Sequence, residues 1–124
     1  MTTGVWEPKK SADFSRENLV NLAAAVDGET VALSVAAATA NSVLMQQEAE
    51  AWLVAEAFDD ELLVSLVHFF TLAEMQIPGW TAGKRSPVIA LVKILKTRGV
   101  FDSELRRWIK THTDNRYLPN GAVL

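Results

Sequence analysis

Apolar and polar residues recur along this chain with the three- to four-residue spacing of amphipathic helices. In the first third, apolar residues fall on one helical face from Leu19 to Val26. Ser15 precedes them as a residue type that caps helix N-termini, and Gly28 follows as a residue type that ends helices. This pattern predicts a first helix over about residues 16–27.

The next stretch, residues 30–57, is longer than most globular helices. Asn41 is the most favourable place for a break, so the pattern is compatible with one helix or with two. The alanines within residues 36–40 have almost no side-chain bulk, and we therefore expect a neighbouring helix to approach closely there.

A third helix is predicted over about residues 60–76, because Asp59 can cap it and acidic residues fill its first turn. This helix is apolar over most of its circumference, as expected for the central helix of a bundle. Pro78 and Gly79 then end it.

Two more helices are predicted in the last third. Ser86 followed by Pro87 is a strong start signal, because the hydroxyl can cap while proline has no amide to leave unpaired. This fourth helix is expected to end at Gly99. Asp102 then caps a short fifth helix over about residues 103–112.

These elements predict an all-α fold, a compact bundle of five or six helices with short connections, in a single domain of 124 residues. We expect an extended N-terminal arm over residues 1–13 and an irregular C-terminal tail over 114–124. The chain is too apolar for a disordered protein, at 49% hydrophobic residues, and too charged for a membrane bundle. No secretory signal or membrane span is recognisable, so we expect a cytoplasmic protein that does not bind membranes.

Charge is divided unevenly between the two ends of the chain. Up to Ala82 there are three basic and twelve acidic residues, a net charge of −9, whereas from Gly83 onward nine basic and three acidic residues give +6. Such asymmetry indicates an acidic protein partner, a nucleic acid, or pairing with the chain's own acidic half. The candidate anion- or partner-binding residues are Lys84, Arg85, Arg106, Arg107, Lys110 and Arg116.

Lys84 and Arg85 precede a helix N-terminus, where free amides favour an anion, although GKRSP lacks the glycine spacing of a P-loop. The segment over residues 87–113 also has the outline of a DNA-binding helix-turn-helix motif, with basic residues on its second helix. Leu95 stands where that motif usually has a small residue, and Arg98 stands where it usually has an apolar one. A plain helical hairpin fits the same segment.

Signals for catalysis are weak. His68 and His112 are the only histidines, no cysteine is present, and neither histidine has a second ligand at helical spacing, so we expect no metal site and no cofactor. His68 lies on the most apolar helix, where a neutral, hydrogen-bonded histidine is the ordinary situation and a general base is rarer. Trp80, in a turn, is the tryptophan expected to be exposed. His68 and Trp80 remain further site candidates.

The sequence thus predicts a non-enzymatic protein-interaction or regulatory module that self-associates as a homodimer. A nucleic-acid-binding protein is the alternative, and an enzyme of unknown type is the third hypothesis.

Overall fold

The computed structural model describes residues 12–121, which form five α-helices, three 310 helices and one β-hairpin. In chain order these are α1 (Arg16–Ala23), β1 (Val26–Asp27), β2 (Thr30–Val31), α2 (Val35–Asn41), 310 helices over Ser42–Gln46 and Ala49–Ala57, α3 (Asp60–Gln76), a 310 turn over Gly83–Arg85, α4 (Pro87–Thr97) and α5 (Ser103–His112). The predicted all-α bundle is confirmed, with a small hairpin added. Residues 1–11 of the expected arm and 122–124 of the expected tail lie outside the described part.

α1 begins where predicted but ends early. The Ser15 hydroxyl caps it by accepting a hydrogen bond from the Asn18 amide at 3.2 Å, and the helix stops at Ala23. β1 and β2 then pair antiparallel, and Gly28, with φ +63°, takes the first position of their two-residue loop. Glycine at the first position of a two-residue loop, with β-branched residues in the flanking strands, favours a hairpin over a longer helix. The predicted helix end near residue 27 is therefore wrong.

Residues 30–57 form neither one long helix nor two α-helices. α2 stops at Asn41, the predicted break, and the chain continues as two 310 helices. The buried Asn41 side chain donates to the Ala37 carbonyl at 2.9 Å and accepts from the Asn18 side chain at 2.8 Å. Ala38 is half-buried and packs against the core, but α2 makes its main contacts with the 310 helix that directly follows it, so the expected close approach of a separate neighbouring helix is not found within residues 12–121.

α3 has the predicted bounds and is the central element. Its cap, Asp59, accepts a hydrogen bond from the Leu62 amide at 3.3 Å. Ten of its seventeen residues are buried, and it packs against α1, β2, α4 and α5. The main hydrophobic core therefore surrounds this helix.

α4 and α5 also begin and end where predicted. The Ser86 hydroxyl accepts from the Val88 amide at 3.2 Å, and Gly99 has the left-handed φ of +74° after α4. Asp102 caps α5 by accepting from the Leu105 amide at 2.8 Å. After α5, the chain folds back without regular structure and buries Leu118 in the core.

Candidate functional site

The six basic candidates lie at three places. Lys84 and Arg85 are exposed on the 310 turn ahead of α4, and Arg116 is exposed in the irregular segment after α5, beside a cavity. Arg106, Arg107 and Lys110 are exposed on α5 and form no ion pair within residues 12–121. Lys84 and Arg116 are likewise exposed and form no ion pair within these residues, so the three α5 cations are the largest group of basic candidates that the described contacts leave available.

Cations from the last third contact acids from the first half. Arg85 lies 3.3 Å from Glu48, and both side chains are more than half exposed, so the pair contributes little stability. His112 Nε2 lies 3.3 Å from the Glu29 carboxylate. Part of the charge division along the sequence is therefore complementary within the folded chain.

Arg98 makes the most extensive of these contacts. Its guanidinium donates to the Phe58 carbonyl, the Glu56 carbonyl and the Asp60 carboxylate, each at 2.8 Å. The side chain thereby links the end of α4 to the start of α3. This fork of hydrogen bonds is a structural reason for arginine at a position where a helix-turn-helix motif usually has an apolar residue.

The first amides of α4 already have acceptors within the chain. The Val88 amide donates to the Ser86 hydroxyl, and the Ile89 amide donates to the Ser86 carbonyl at 3.1 Å. Pro87 has no amide to offer. An anion site beside Lys84 and Arg85 would need free backbone amides. The first amides of α4 are already hydrogen-bonded to Ser86.

A buried carboxyl group lies next to this cap. Glu74, on α3, is only 5% exposed, and its carboxylate accepts hydrogen bonds from the Ser86 hydroxyl and, at 3.3 Å, from the Asn115 side-chain amide. Burial raises the pKa of Glu74, although these hydrogen bonds and one from the Ala82 amide act in the opposite direction. Glu74 thus connects α3, the start of α4 and the segment after α5.

Sequence reasoning missed Glu74 as a buried group. The available signal was its place in the apolar run TLAEM, where a single acid on a buried helix suggests a partner. Glu74 and Asn115 also line a cavity of about 410 Å3, together with Met75, Thr81, Gly83, Thr113, Asp114, Arg116 and Tyr117. Since the carboxylate is already hydrogen-bonded on both oxygens, its arrangement fits a structural link better than a reactive acid.

The two histidines flank one tryptophan. The ring of Trp108 lies 4.1 Å from that of His68 and 4.2 Å from that of His112, measured between centroids. Burial lowers the pKa of His68, and the nearby His112 lowers it further. A hydrogen bond to the Trp108 carbonyl raises the pKa of His112, and Glu29 adds to the rise. His68 therefore stays neutral at pH 7, in a packing position between helices.

Trp80 is not the exposed tryptophan that its place in a turn suggested. Its side chain is only 2% exposed, and its ring lies 6.0 Å from that of Phe69 in an edge-to-face arrangement. The turn folds over the end of α3 and carries the indole into the core, so the expectation of exposure is wrong.

A larger concavity than the one beside Glu74 lies between the 310 helix over Ala49–Ala57, called here the 49–57 helix, and α4. This groove has a volume of about 620 Å3. It is lined by Ala49, Glu50, Trp52, Leu53, Glu56, Ala90, Lys93, Ile94, Thr97 and Arg98. The groove was not predicted, because residues 49–57 were expected to be α-helical and their exposed face could not be assigned.

An exposed apolar side chain lines each of these concavities: Leu53, 58% exposed, lines the groove, and Met75, 47% exposed, lines the smaller cavity beside Glu74. Val54, which follows Leu53 in the chain, is 44% exposed. Large apolar side chains that remain in water around a concavity are typical of protein-binding surfaces. The groove, which is the larger of the two and has the more exposed apolar side chain at its wall, is therefore the candidate site.

Within residues 12–121, no group of three or more His, Asp or Glu side chains could hold a metal ion, and no helix is long and apolar enough to cross a membrane. Comparison with protein-family models, with curated proteins and with solved structures finds no significant match for this chain.

Proposed function

We propose that this protein is a non-enzymatic interaction module that self-associates as a dimer. The observation that carries the proposal is the groove beside the 49–57 helix, in which Leu53 lines the wall while remaining 58% exposed to water. Removing such apolar surface from water is the usual driving force of protein association. A folded domain this small also leaves much of its apolar surface outside its core.

The polar chemistry of the molecule agrees with this proposal. Glu74 and His68, the buried or half-buried titratable groups described above, lie in hydrogen-bonded or stacked positions that link helices. The Ser86 hydroxyl that donates to Glu74 is itself buried and caps α4, so this contact lacks the exposed hydroxyl that a nucleophile activated by a base requires. These titratable groups therefore have structural roles, which agrees with an interaction module better than with an enzyme.

The test is the molar mass measured by multi-angle light scattering over a dilution series from about 1 to 100 μM. We expect a mass of twice 13.6 kDa at the higher concentrations and dissociation on dilution. A mass of 13.6 kDa throughout the series would contradict self-association.

Nucleic-acid binding is the second candidate, and the exposed α5 cations Arg106, Arg107 and Lys110 favour it. If these residues contact phosphates, duplex affinity falls steeply as salt rises. Changing Arg106 and Arg107 to Gln should then reduce the slope of log affinity against log salt by about one for each lost contact. Failure to bind duplex or single-stranded DNA at low salt would remove this candidate.

A further inference from the structure

We propose that the occupant of the groove is a second copy of this chain, arranged by two-fold symmetry so that the 49–57 helix of each copy faces α4 of the other. The inference rests on the proposed self-association and specifies its interface. In a two-fold dimer, the same surface patch occurs on both sides and must be complementary to itself. The groove and the side chains beside it meet this requirement in shape and in charge.

The apolar complementarity comes from Leu53. This side chain stands at the groove and remains 58% exposed, so it can be both part of one wall and a projection toward a partner. Ala90 and Ile94 on α4 line the opposite wall. In a two-fold arrangement, Leu53 of each copy packs against this α4 wall of the other, and both leucines leave water at once.

The charge complementarity comes from the two edges. Glu50 and Glu56 give the edge on the 49–57 helix a negative charge, and Lys93 gives the edge on α4 a positive charge. Glu50 and Lys93 are exposed, and neither forms an ion pair within residues 12–121. When a second copy, related by the two-fold axis, lies over the groove, Glu50 of each chain stands opposite Lys93 of the other.

Other occupants fit this pair of edges less well. A nucleic acid would be repelled by the acidic edge, and a strongly basic peptide would be repelled by the basic edge. A surface with one acidic and one basic edge pairs favourably with the same surface of a second chain related by a two-fold axis, because each acidic edge then faces a basic one. Charge complementarity therefore selects the second copy among the occupants that the apolar wall would accept.

Reciprocal charge reversal tests this arrangement. Glu50→Lys alone places two lysines opposite each other at both edges of the dimer, and Lys93→Glu alone does the same with two glutamates. We expect each single variant to raise the dimer dissociation constant roughly 10- to 100-fold, because like charges then oppose each other twice. An equimolar mixture of the two variants should restore the wild-type dissociation constant, since every cross-chain contact again joins opposite charges.

The matched control for Lys93→Glu is Arg16→Glu, which makes the same change in net charge at an exposed α1 position that does not line the groove. Its dissociation constant should equal that of the wild type. Native mass spectrometry of the mixture, with one variant isotopically labelled, identifies the heterodimer directly. Urea unfolding of every variant establishes that each is folded.

The outcomes separate this inference from the function on which it rests. Loss of affinity in both single variants and recovery in the mixture supports the two-fold pairing. A wild-type dimer that neither variant weakens overturns the groove pairing and leaves self-association standing on another surface. Weakening without recovery in the mixture overturns the two-fold arrangement. A monomeric wild type overturns self-association itself.

Discussion

Changing Ser86 to Ala should destabilise the protein more than the loss of an ordinary helix cap does. The hydroxyl accepts a hydrogen bond from the Val88 amide and donates one to the buried Glu74 carboxylate. The substitution removes both contacts, and it leaves a carboxyl group that is only 5% exposed with one donor fewer. The two losses act on different groups, so both contribute to the cost.

The magnitude follows from the two contacts. Losing an N-terminal cap costs about 1 kcal/mol. A hydrogen bond to a charged group contributes about 1.5–3 kcal/mol, most of which is lost when the acceptor stays buried. We therefore expect Ser86→Ala to lower the free energy of unfolding by about 2–4 kcal/mol at pH 7.

Ser34→Ala is the matched control. Ser34 caps α2 by accepting from the Ala37 amide at 3.1 Å in an exposed position, so its loss should cost only about 1 kcal/mol. Urea denaturation of both variants, analysed with a common dependence on denaturant, gives the two costs. In a double-mutant cycle, Glu74→Gln should reduce the effect of Ser86→Ala, because the two residues interact directly. Equal costs for Ser86→Ala and Ser34→Ala would refute the contribution assigned to the Glu74 contact.

Three other predictions concern charge. Burial raises the pKa of Glu74 above its ordinary 4.5, so the folded state binds the carboxyl proton more tightly than the unfolded state does. The free energy of unfolding should therefore fall as pH rises from 4.5 through the folded pKa. Urea titrations at several pH values measure this fall, and Glu74→Gln should remove the contribution of Glu74 to it. In an NMR titration of the imidazole signals, His112 should titrate above 6.5 and His68 below it, and the reverse order would contradict the stacked arrangement around one indole. Changing Lys84 and Arg85 together to Gln should alter the free energy of unfolding by less than about 0.5 kcal/mol, since the Arg85–Glu48 pair is exposed; a larger loss in thermal melts would show that the pair is structural.

The sequence predicted those elements whose ends depend on local chemistry. Asp59, Ser86 and Asp102 each place a side-chain oxygen ahead of an apolar-periodic run, and the three helices that follow begin where these caps predict. Gly99 ends α4 for a similarly local reason, because the left-handed conformation favours glycine. Such signals lie within one turn of the chain and need no tertiary information.

The errors arose where distant contacts decide the structure. Gln76 at the end of α3 donates to the Glu29 carbonyl at 2.7 Å and accepts from the Val31 amide at 2.9 Å, which holds the hairpin against the bundle. Residues 49–57 are apolar enough for an α-helix, yet the chain adopts 310 turns there and leaves Leu53 in water. Neither the hairpin nor the 310 conformation of residues 49–57 follows from the local sequence alone. The groove could not be predicted because it depends on that 310 conformation.

The same distinction applies to the basic residues. Their number and position could be read from the sequence, but their contacts could not. Arg98 bonds to two carbonyls and a carboxylate around the start of α3, whereas the cations of α5 remain in solvent. Some of the basic residues in the last third therefore bind groups within the fold, whereas others lie on a surface that makes no described contact.

The most direct test of the proposed association surface compares the dimer dissociation constants of Leu53→Asp and Val35→Asp by sedimentation equilibrium. Full burial of a leucine contributes about 1.5–3 kcal/mol, so burying the surface of Leu53, which is 58% exposed, contributes about 0.9–1.7 kcal/mol in each copy. Loss from both copies should raise the dissociation constant roughly 20- to 300-fold. Val35 is 84% exposed and does not line the groove, so Val35→Asp should associate like the wild type. If the two variants have the same dissociation constant, the groove is not the surface through which this protein self-associates.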